Sequence, residues 1–280
     1  MAPFISILIP TYQSQNYILQ TIRSVQNQTC INWEMLIADD CSTDETRRIV
    51  SREAEKDSRI HLICLPKNAG AAQARNAALH QASGKYISYL DADDLWSPDK
   101  LEKQAAFMEE KGCAFSCVSY RVISNEGRLL NKVVHMKPVL DYKGYLYNNL
   151  IQTVGVMVNR EMLPEPLLEM PDMRRRQDAA TWMQILKAGF LCYGIQEPLA
   201  FYRRSKGSLS SNKIQSVVGT WRLYRSVERL PLWEAGICFA RYAVLAVWKR
   251  VYFPDLSLYR KAGAARFFRQ LGTGQEGETN

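Results

Sequence analysis

The chain of 280 residues is 47% hydrophobic and 23% charged, an ordinary globular mix that excludes a fibrous or largely disordered protein. Its formal net charge of +8 predicts an anionic partner, whether a nucleotide phosphate, a nucleic acid or an anionic membrane face. Seven cysteines without a Cys-x-x-Cys, and only three histidines, exclude a structural zinc site and suit a reducing compartment.

Phe4 to Pro10 is a short apolar run closed by proline, a buried strand rather than a signal peptide. Tyr17, Ile18, Ile22 and Val25 recur at helical spacing within 15–28. Trp33 to Ala38 is a second strand ending at Asp39-Asp40. Ser42 to Glu45 reads as a capping box, with Ser42 as N-cap, opening a helix that runs to about Lys56. Ile60 to Leu65 is a third strand, Ala71 to Ala82 an alanine-rich helix, and Lys85 to Leu90 a fourth strand. Ser97-Pro98 opens another helix with proline at its first position. Such alternation implies right-handed βαβ units and a mostly parallel sheet covered by helices on both faces.

Ligands of such sheets bind beyond the carboxyl ends of the strands. Pro10-Thr11-Tyr12, Asp39-Asp40, Asn68 to Asn76 and Asp91 to Asp94 all fall there, so polar groups from four strand ends share one rim. In Asp91-Ala92-Asp93 the period of two puts both carboxylates on one side of the chain. That suits a divalent cation that keeps waters and bridges phosphates; a solvated turn is the other reading. A dinucleotide-binding dehydrogenase would need G-x-G-x-x-G after the first strand, and Pro10 to Ser14 contains no glycine.

Beyond residue 112 the pattern changes. Residues 113–120 are strand-like, and Asn125-Glu126-Gly127 marks a turn. Leu150 to Asn159 is an apolar run, Arg175 to Lys187 a helix with Asp178 in its first turn, and Leu199 to Arg204 a short strand. Residues 213–230 and 232–250 are helical and joined at Pro231. The last helix carries Trp233, Ile237, Phe239, Tyr242, Val244 and Trp248, but Arg241, Lys249 and Arg250 interrupt it. Its uninterrupted run is shorter than the ~20 residues a span needs. It therefore reads as an in-plane membrane helix, or as one packed on the catalytic domain or on a second subunit.

Ile9 to Tyr12, Ile37 to Asp44, Asn68 to Asn76 and Leu90 to Asp94 together resemble the successive motifs of family 2 glycosyltransferases over residues 3–210. The nearest flavour is that of bacterial enzymes building O-antigen, capsule or teichuronic acid chains. The resemblance implies a GT-A fold and an inverting transfer from a UDP-sugar, a hexose or N-acetylhexosamine, to a glycan acceptor linked to undecaprenyl diphosphate. It implies a catalytic domain over 1–210, with a donor half (1–112) and an acceptor half (113–210). Helices over 211–271 and a disordered tail over 272–280 follow.

For the site, the resemblance places Pro10, Thr11 and Tyr12 against the nucleoside. One of Asp39 and Asp40, with Asp40 favoured, accepts from the uracil imide. Asn68, Gly70, Arg75, Asp91 and Ala92 lie by the nucleotide. Asp93, supported by Asp91, ligates Mg²⁺ or Mn²⁺, and Asp94 is a solvated neighbour. Asp178 is the base; Gln177 stands where the family often has a glutamate. Ser205 stands where related enzymes often carry a histidine, and Arg203, Arg204 or Lys206 would supply positive charge there to diphosphate or acceptor. The implied setting is the cytoplasmic face of the inner membrane, with a second copy of the chain as a candidate partner and no nucleic acid. A catalytically silent UDP-sugar-binding scaffold is the alternative.

Overall fold

A computed structural model describes residues 4–148, 150–204 and 213–251, the side chains of 213–216 and 245–251 excepted. The expectations for Ser205, Lys206 and the tail 272–280 lie outside the described residues. Strand β1 (Ile5–Thr11) is buried along its whole length. An uninterrupted apolar run, rather than an alternating one, is what a central strand covered on both faces requires. Helix α1 (Ile18–Gln26) turns Ile18, Ile22 and Val25 inward. β2 (Trp33–Asp39), α2 (Thr46–Ala54), β3 (Ile60–Cys64), α3 (Ala71–Leu79) and β4 (Tyr86–Tyr89) follow. β2 and β4 flank β1, and β3 flanks β2, all in parallel.

Next come β5 (Leu95–Trp96), α4 (Lys100–Lys111), β6 (Phe115–Ile123), β7 (Leu129–Val134), β8 (Val139–Leu140) and α5 (Tyr142–Tyr147). A 3₁₀ turn (Thr153–Gly155) leads into β9 (Val156–Asn159), α6 (Gln177–Lys187) and β10 (Cys192–Arg203). Among the described residues the ten strands form one sheet of order β3-β2-β1-β4-β9-β6-β10-β5, with β7 beside β6 and β8 beside β10. The order reverses between β1 and β4, so a crevice opens beyond Thr11 and Leu90. α1, α2 and α4 cover one face of the sheet; α3, α5 and α6 cover the other. Finally α7 (Lys213–Arg222), a π turn (Leu223–Val227) and α8 (Leu232–Val251) pack on the second face through Leu223, Tyr224, Ala235 and Cys238.

Several expectations change. The sheet is parallel in its first half, but β9 runs antiparallel between β4 and β6, and β5, β7 and β8 are antiparallel to their neighbours. The short strand expected at Leu199 begins at Cys192, bulged about Pro198. α4 starts at Lys100, after Pro98 rather than on it. The Leu150–Asn159 run is extended only from Val156, because Gly155 packs against β6. A Cβ there would lie 2.7 Å from the Val118 carbonyl oxygen. Ser42 caps no helix: α2 begins at Thr46, whose N–H is taken by Asp44, and the Ser42 hydroxyl instead accepts from the Gln13 N–H. Cys64 ends the edge strand β3 and is exposed, although its apolar run suggests a core position.

Candidate active site

Two loops build one side of the crevice. The loop after β1 is pinned to the loop after β2 by the Gln13 side chain, whose Oε1 accepts from the N–H groups of Thr43 (3.0 Å) and Asp44 (3.1 Å). Ser14 N–H donates to Thr46 Oγ1 at 2.8 Å, and Glu45 N–H donates to Gln15 Oε1 at 3.0 Å. Gln13 and Cys41, which follow the Thr11-Tyr12 and Asp39-Asp40 pairs, both have left-handed backbone, φ 51° and 63°. That conformation costs roughly 1–2 kcal/mol for a side-chain-bearing residue, so the loop-to-loop hydrogen bonds hold it in place. Pro10 and Thr11 are buried and Tyr12 is 52% exposed, standing at the mouth.

The two adjacent acids divide their work. Both oxygens of Asp40 accept backbone N–H groups, Ala69 at 2.6 Å and Gly70 at 2.8 Å, while Asn68 Nδ2 donates to the Asp40 carbonyl at 2.9 Å. Asp40 is thus the anchor of the loop that enters α3. Gly70 sits at φ 88°, ψ 165°, a conformation essentially reserved for glycine. Asp39 is fully buried. Its Oδ2 accepts from Ser42 N–H at 2.9 Å and from Arg47 Nε, while Oδ1 has no hydrogen-bond partner. The Thr11 hydroxyl, on the neighbouring strand end in register with Asp39, is likewise buried and without a partner.

The acidic turn lies across the crevice. Arg75 of α3, 5% exposed, pairs through its guanidinium with Asp91 Oδ1. Asp94 is not a solvated neighbour: it is 1% exposed, and its Oδ1 accepts the Arg203 backbone N–H at 2.7 Å. Burial first, then the charges of Asp93 and Asp91, push its carboxyl well above the usual carboxylate range. Its Oδ2 is buried and without a partner. Three carboxyl groups in four residues supply the hard oxygen donors a divalent ion takes. Among the described residues no cluster of three or more His, Cys, Asp and Glu side chains forms a metal cage. The residues therefore fit Mg²⁺ or Mn²⁺ bound by one or two carboxylates and completed by phosphates and water.

Arg203 belongs to this turn as a clamp. It is 2% exposed, and its Nε donates to the Asp93 carbonyl at 2.6 Å. Its terminal nitrogens donate to the Asn125 carbonyl (2.9 Å) and Gln20 Oε1 (2.8 Å). The group lies over the Tyr17 ring, and burial lowers its pKa. These donors are committed inside the protein, so Arg203 does not offer its charge to the crevice, contrary to expectation, whereas its neighbour Arg204 is exposed.

Opposite stands α6. Arg176 precedes it in left-handed backbone, φ 64°, and donates to the Tyr242 hydroxyl of α8 at 3.3 Å. Asp178, in the first turn, accepts from Thr153 Oγ1 at 3.2 Å. One turn on, Trp182 packs edge-on against Tyr89 at 5.1 Å. Tyr89 ends β4, two residues before Asp91, so this contact ties the helix of Asp178 to the strand of the acidic turn. Burial, with the charge of Asp178 second, pushes the fully buried Tyr145 phenol well above its usual value. The motif positions before residue 95 stand out in the sequence, but the burial of Asp94 does not. Nor do Thr21, Gln13 and the clamp role of Arg203, because their partners lie 30 to 110 residues away.

The chain is similar to proteins of one known family. The family described as Glycosyl transferase family 2 matches residues 6–162. The Bacillus subtilis protein TuaG, named as a teichuronic acid biosynthesis glycosyltransferase, is 45% identical over 89% of this chain and 98% of its own length. The Escherichia coli protein WfgD, named as a UDP-Glc:α-D-GlcNAc-diphosphoundecaprenol β-1,3-glucosyltransferase, is 33% identical over 89% of this chain and 95% of its own. Among solved structures, Staphylococcus aureus TarS in complex with UDP-GlcNAc superposes with a TM-score of 0.65 at 19% identity, covering 96% of this chain and 81% of that one. The mannosyltransferase PcManGT of Pyrobaculum calidifontis, in complex with GDP-Man and Mn²⁺, gives 0.62 at 18% identity over 98% and 85%. The family match over residues 6–162, with relatives 45% and 33% identical over most of both chains, places the chain in glycosyltransferase family 2, as an enzyme of GT-A type fold.

Proposed function

We propose that this glycosyltransferase moves a hexose or N-acetylhexosamine, with inversion, from a UDP-sugar to a lipid-linked glycan of a bacterial surface polysaccharide. The observation that carries the donor half of this reading is the buried Oδ1 of Asp39, an acceptor without a partner at the end of β2. A fixed acceptor rewards a base presenting an N–H, as the uracil imide does, and rejects one that does not. Asp40, fully engaged with Ala69 and Gly70, keeps the loop in shape. The assignment thus moves from Asp40 to Asp39. Thr11 and Tyr12 border the nucleoside, and Arg75 holds Asp91 beside the ribose and phosphates. Asp93, supported by Asp91, would hold a divalent ion, Mg²⁺ or Mn²⁺, which when bound would supply stabilisation of the charge that develops on a departing diphosphate.

Asp178 is the base in this scheme. Its carboxylate takes the proton of an acceptor hydroxyl as that oxygen attacks the anomeric carbon from the side opposite UDP, and UDP leaves with the bonding electron pair. The Thr153 hydroxyl orients the carboxylate. The acceptor class is inferred from the relatives, one of which is named for a diphosphoundecaprenol substrate. Such an acceptor calls for a membrane-facing surface. No described helix is long and apolar enough to cross a membrane. On α8, Trp233, Ile237, Ala240 and Val244 fall on one exposed stripe, opposite the buried Ala235 and Cys238, with exposed Arg222, Arg229 and Arg241 nearby. That pattern suits peripheral attachment to an anionic inner-membrane face from the cytoplasm; a second copy of the chain is the competing occupant.

The test is release of UDP from a panel of UDP-sugars in the presence of a diphospholipid-linked acceptor. Asp178→Asn should lower transfer by about 10²–10⁴-fold, the range of general-base catalysis, with UDP affinity within about twofold of the parent. Transfer surviving intact removes Asp178 as base.

A further inference from the structure

The backbone of the acidic turn is held at every carbonyl, and the two side chains that hold most of it lie outside the glycosyltransferase motifs. The Asp91 carbonyl accepts the Asp94 N–H at 3.1 Å, closing the turn on itself. The Thr21 hydroxyl, on the buried side of α1, lies 2.8 Å from the Ala92 carbonyl oxygen and 3.0 Å from that of Asp94, sharing its proton between them. Arg203 Nε takes the remaining carbonyl, that of Asp93, while its backbone N–H takes the Asp94 carboxylate. Thr21 is fully buried and Arg203 nearly so. Both are themselves fixed: Thr21 within a helix, and Arg203 by Asn125, Gln20 and the Tyr17 ring.

We infer that Thr21 and Arg203 are positioning residues for the divalent ion: they fix the main chain of residues 92–94, and with it the Cα–Cβ directions from which the Asp91 and Asp93 carboxylates reach the metal. This rests on the metal reading above. The physical reason is strong local repulsion. The Asp91 and Asp93 carboxylates stand two residues apart on one turn, and when no cation is bound like charges this close favour spreading apart. A backbone tied at four carbonyls cannot relax in that way, so the ligands are already placed when the nucleotide brings its phosphates. Groups of this kind, which hold ligands without touching the metal, typically change metal affinity by about 10–100-fold when removed. The clamp also recruits α1, the turn after β6 and the end of β10 to one four-residue segment, which explains why Arg203 is buried rather than offered to solvent.

The experiment is a Mn²⁺ titration followed by the loss of the free-ion electron paramagnetic resonance signal, at saturating UDP, on the full chain. UDP affinity is measured in parallel with EDTA present. Thr21→Val, which keeps the shape and removes the hydroxyl, and Arg203→Lys, which keeps the charge and removes the fork, should each weaken Mn²⁺ at least about tenfold. Thr21→Ser, which keeps the hydroxyl, should stay within about twofold. Metal-free UDP affinity should be unchanged in all three. Parent-like Mn²⁺ affinity in Thr21→Val and Arg203→Lys, or a loss in Thr21→Ser equal to that in Thr21→Val, overturns the inference. If the parent protein takes up no Mn²⁺ with UDP, it is the metal reading itself that fails. Should Thr21→Val not fold, the Arg203→Lys titration decides.

Discussion

The two sides of the crevice, proposed above as a donor rim and an acceptor wall, are built by different means. On the donor side, the loops after β1, β2 and β3 and the acidic turn are stitched by side chains that reach backbone groups on other loops. Gln13, Asp40, Thr21 and Arg203 each satisfy two or more such partners. On the acceptor side, α6 is held chiefly by apolar packing, with Trp182 against Tyr89 and Phe115 and with Tyr145 and Leu186 in the core. Its proposed base has the hydroxyl of Thr153 as its hydrogen-bond donor, at 3.2 Å. The difference follows from what each side meets. A nucleoside diphosphate presents fixed polar groups that reward fixed donors and acceptors, whereas a wall made of packed side chains can be reshaped without unpicking a network.

Breaking the rim should therefore cost more than breaking the wall. Asp40→Ala leaves the Ala69 and Gly70 N–H groups without their carboxylate. Bonds to a charged group contribute about 1.5–3 kcal/mol each, so the urea midpoint should drop clearly and UDP affinity should fall at least tenfold by calorimetry. Asp39→Asn comes next: the donor it places at the base should reduce UDP affinity several-fold and narrow the preference for UDP over CDP. Thr153→Val, on the wall, should cost about 1 kcal/mol or less. It should leave UDP affinity alone and lower transfer only through kcat. If Thr153→Val weakened UDP as much as Asp40→Ala does, the distinction between rim and wall would collapse.

The smallest change concerns Lys100, which lies beneath the sheet between the two sides. It is fully buried, its Nζ bonds Ser88 Oγ at 2.6 Å, and it rests over the Trp96 ring at 3.6 Å. Burial lowers its pKa well below the usual lysine value. The unfolded chain then holds a proton that the folded chain binds weakly, so stability is highest above about pH 10.4 and declines as the pH falls towards the depressed folded value. Lys100→Met should be at least as stable as the parent at pH 7, with its relative gain shrinking towards pH 10, in chemical denaturation followed at both pH values. A gain that grows towards pH 10 would mean that Lys100 is charged and compensated in the fold.

What the sequence discloses tracks how local each feature is. The strand end at Asp39, the strand leading to the Asp91 turn, the helix carrying Asp178 and the turn at Asn125 to Gly127 can be read within a dozen residues, and all are present. Asp94 is different. Beside two other acids it looks solvated, and only the arrival of Arg203 from β10 buries it. Ser42 fits a capping box as written, yet the Gln13 N–H, 29 residues away, takes its hydroxyl. Strand β9 carries no sign of its antiparallel insertion, because an apolar run reads the same in either direction.

That inserted strand sets an order on the birth of the protein. β4 and β6 are made early, yet the segment that seats between them, Val156–Asn159, leaves the ribosome more than 30 residues after β6 ends. Until then the nascent chain leaves open the apolar edges that this strand will cover, Tyr86–Ser88 of β4 and Phe115–Cys117 of β6, of the kind that invite pairing between molecules. Chains cut short before residue 156 should accordingly collect in inclusion bodies, while synthesis through Asn159 closes the sheet across its middle.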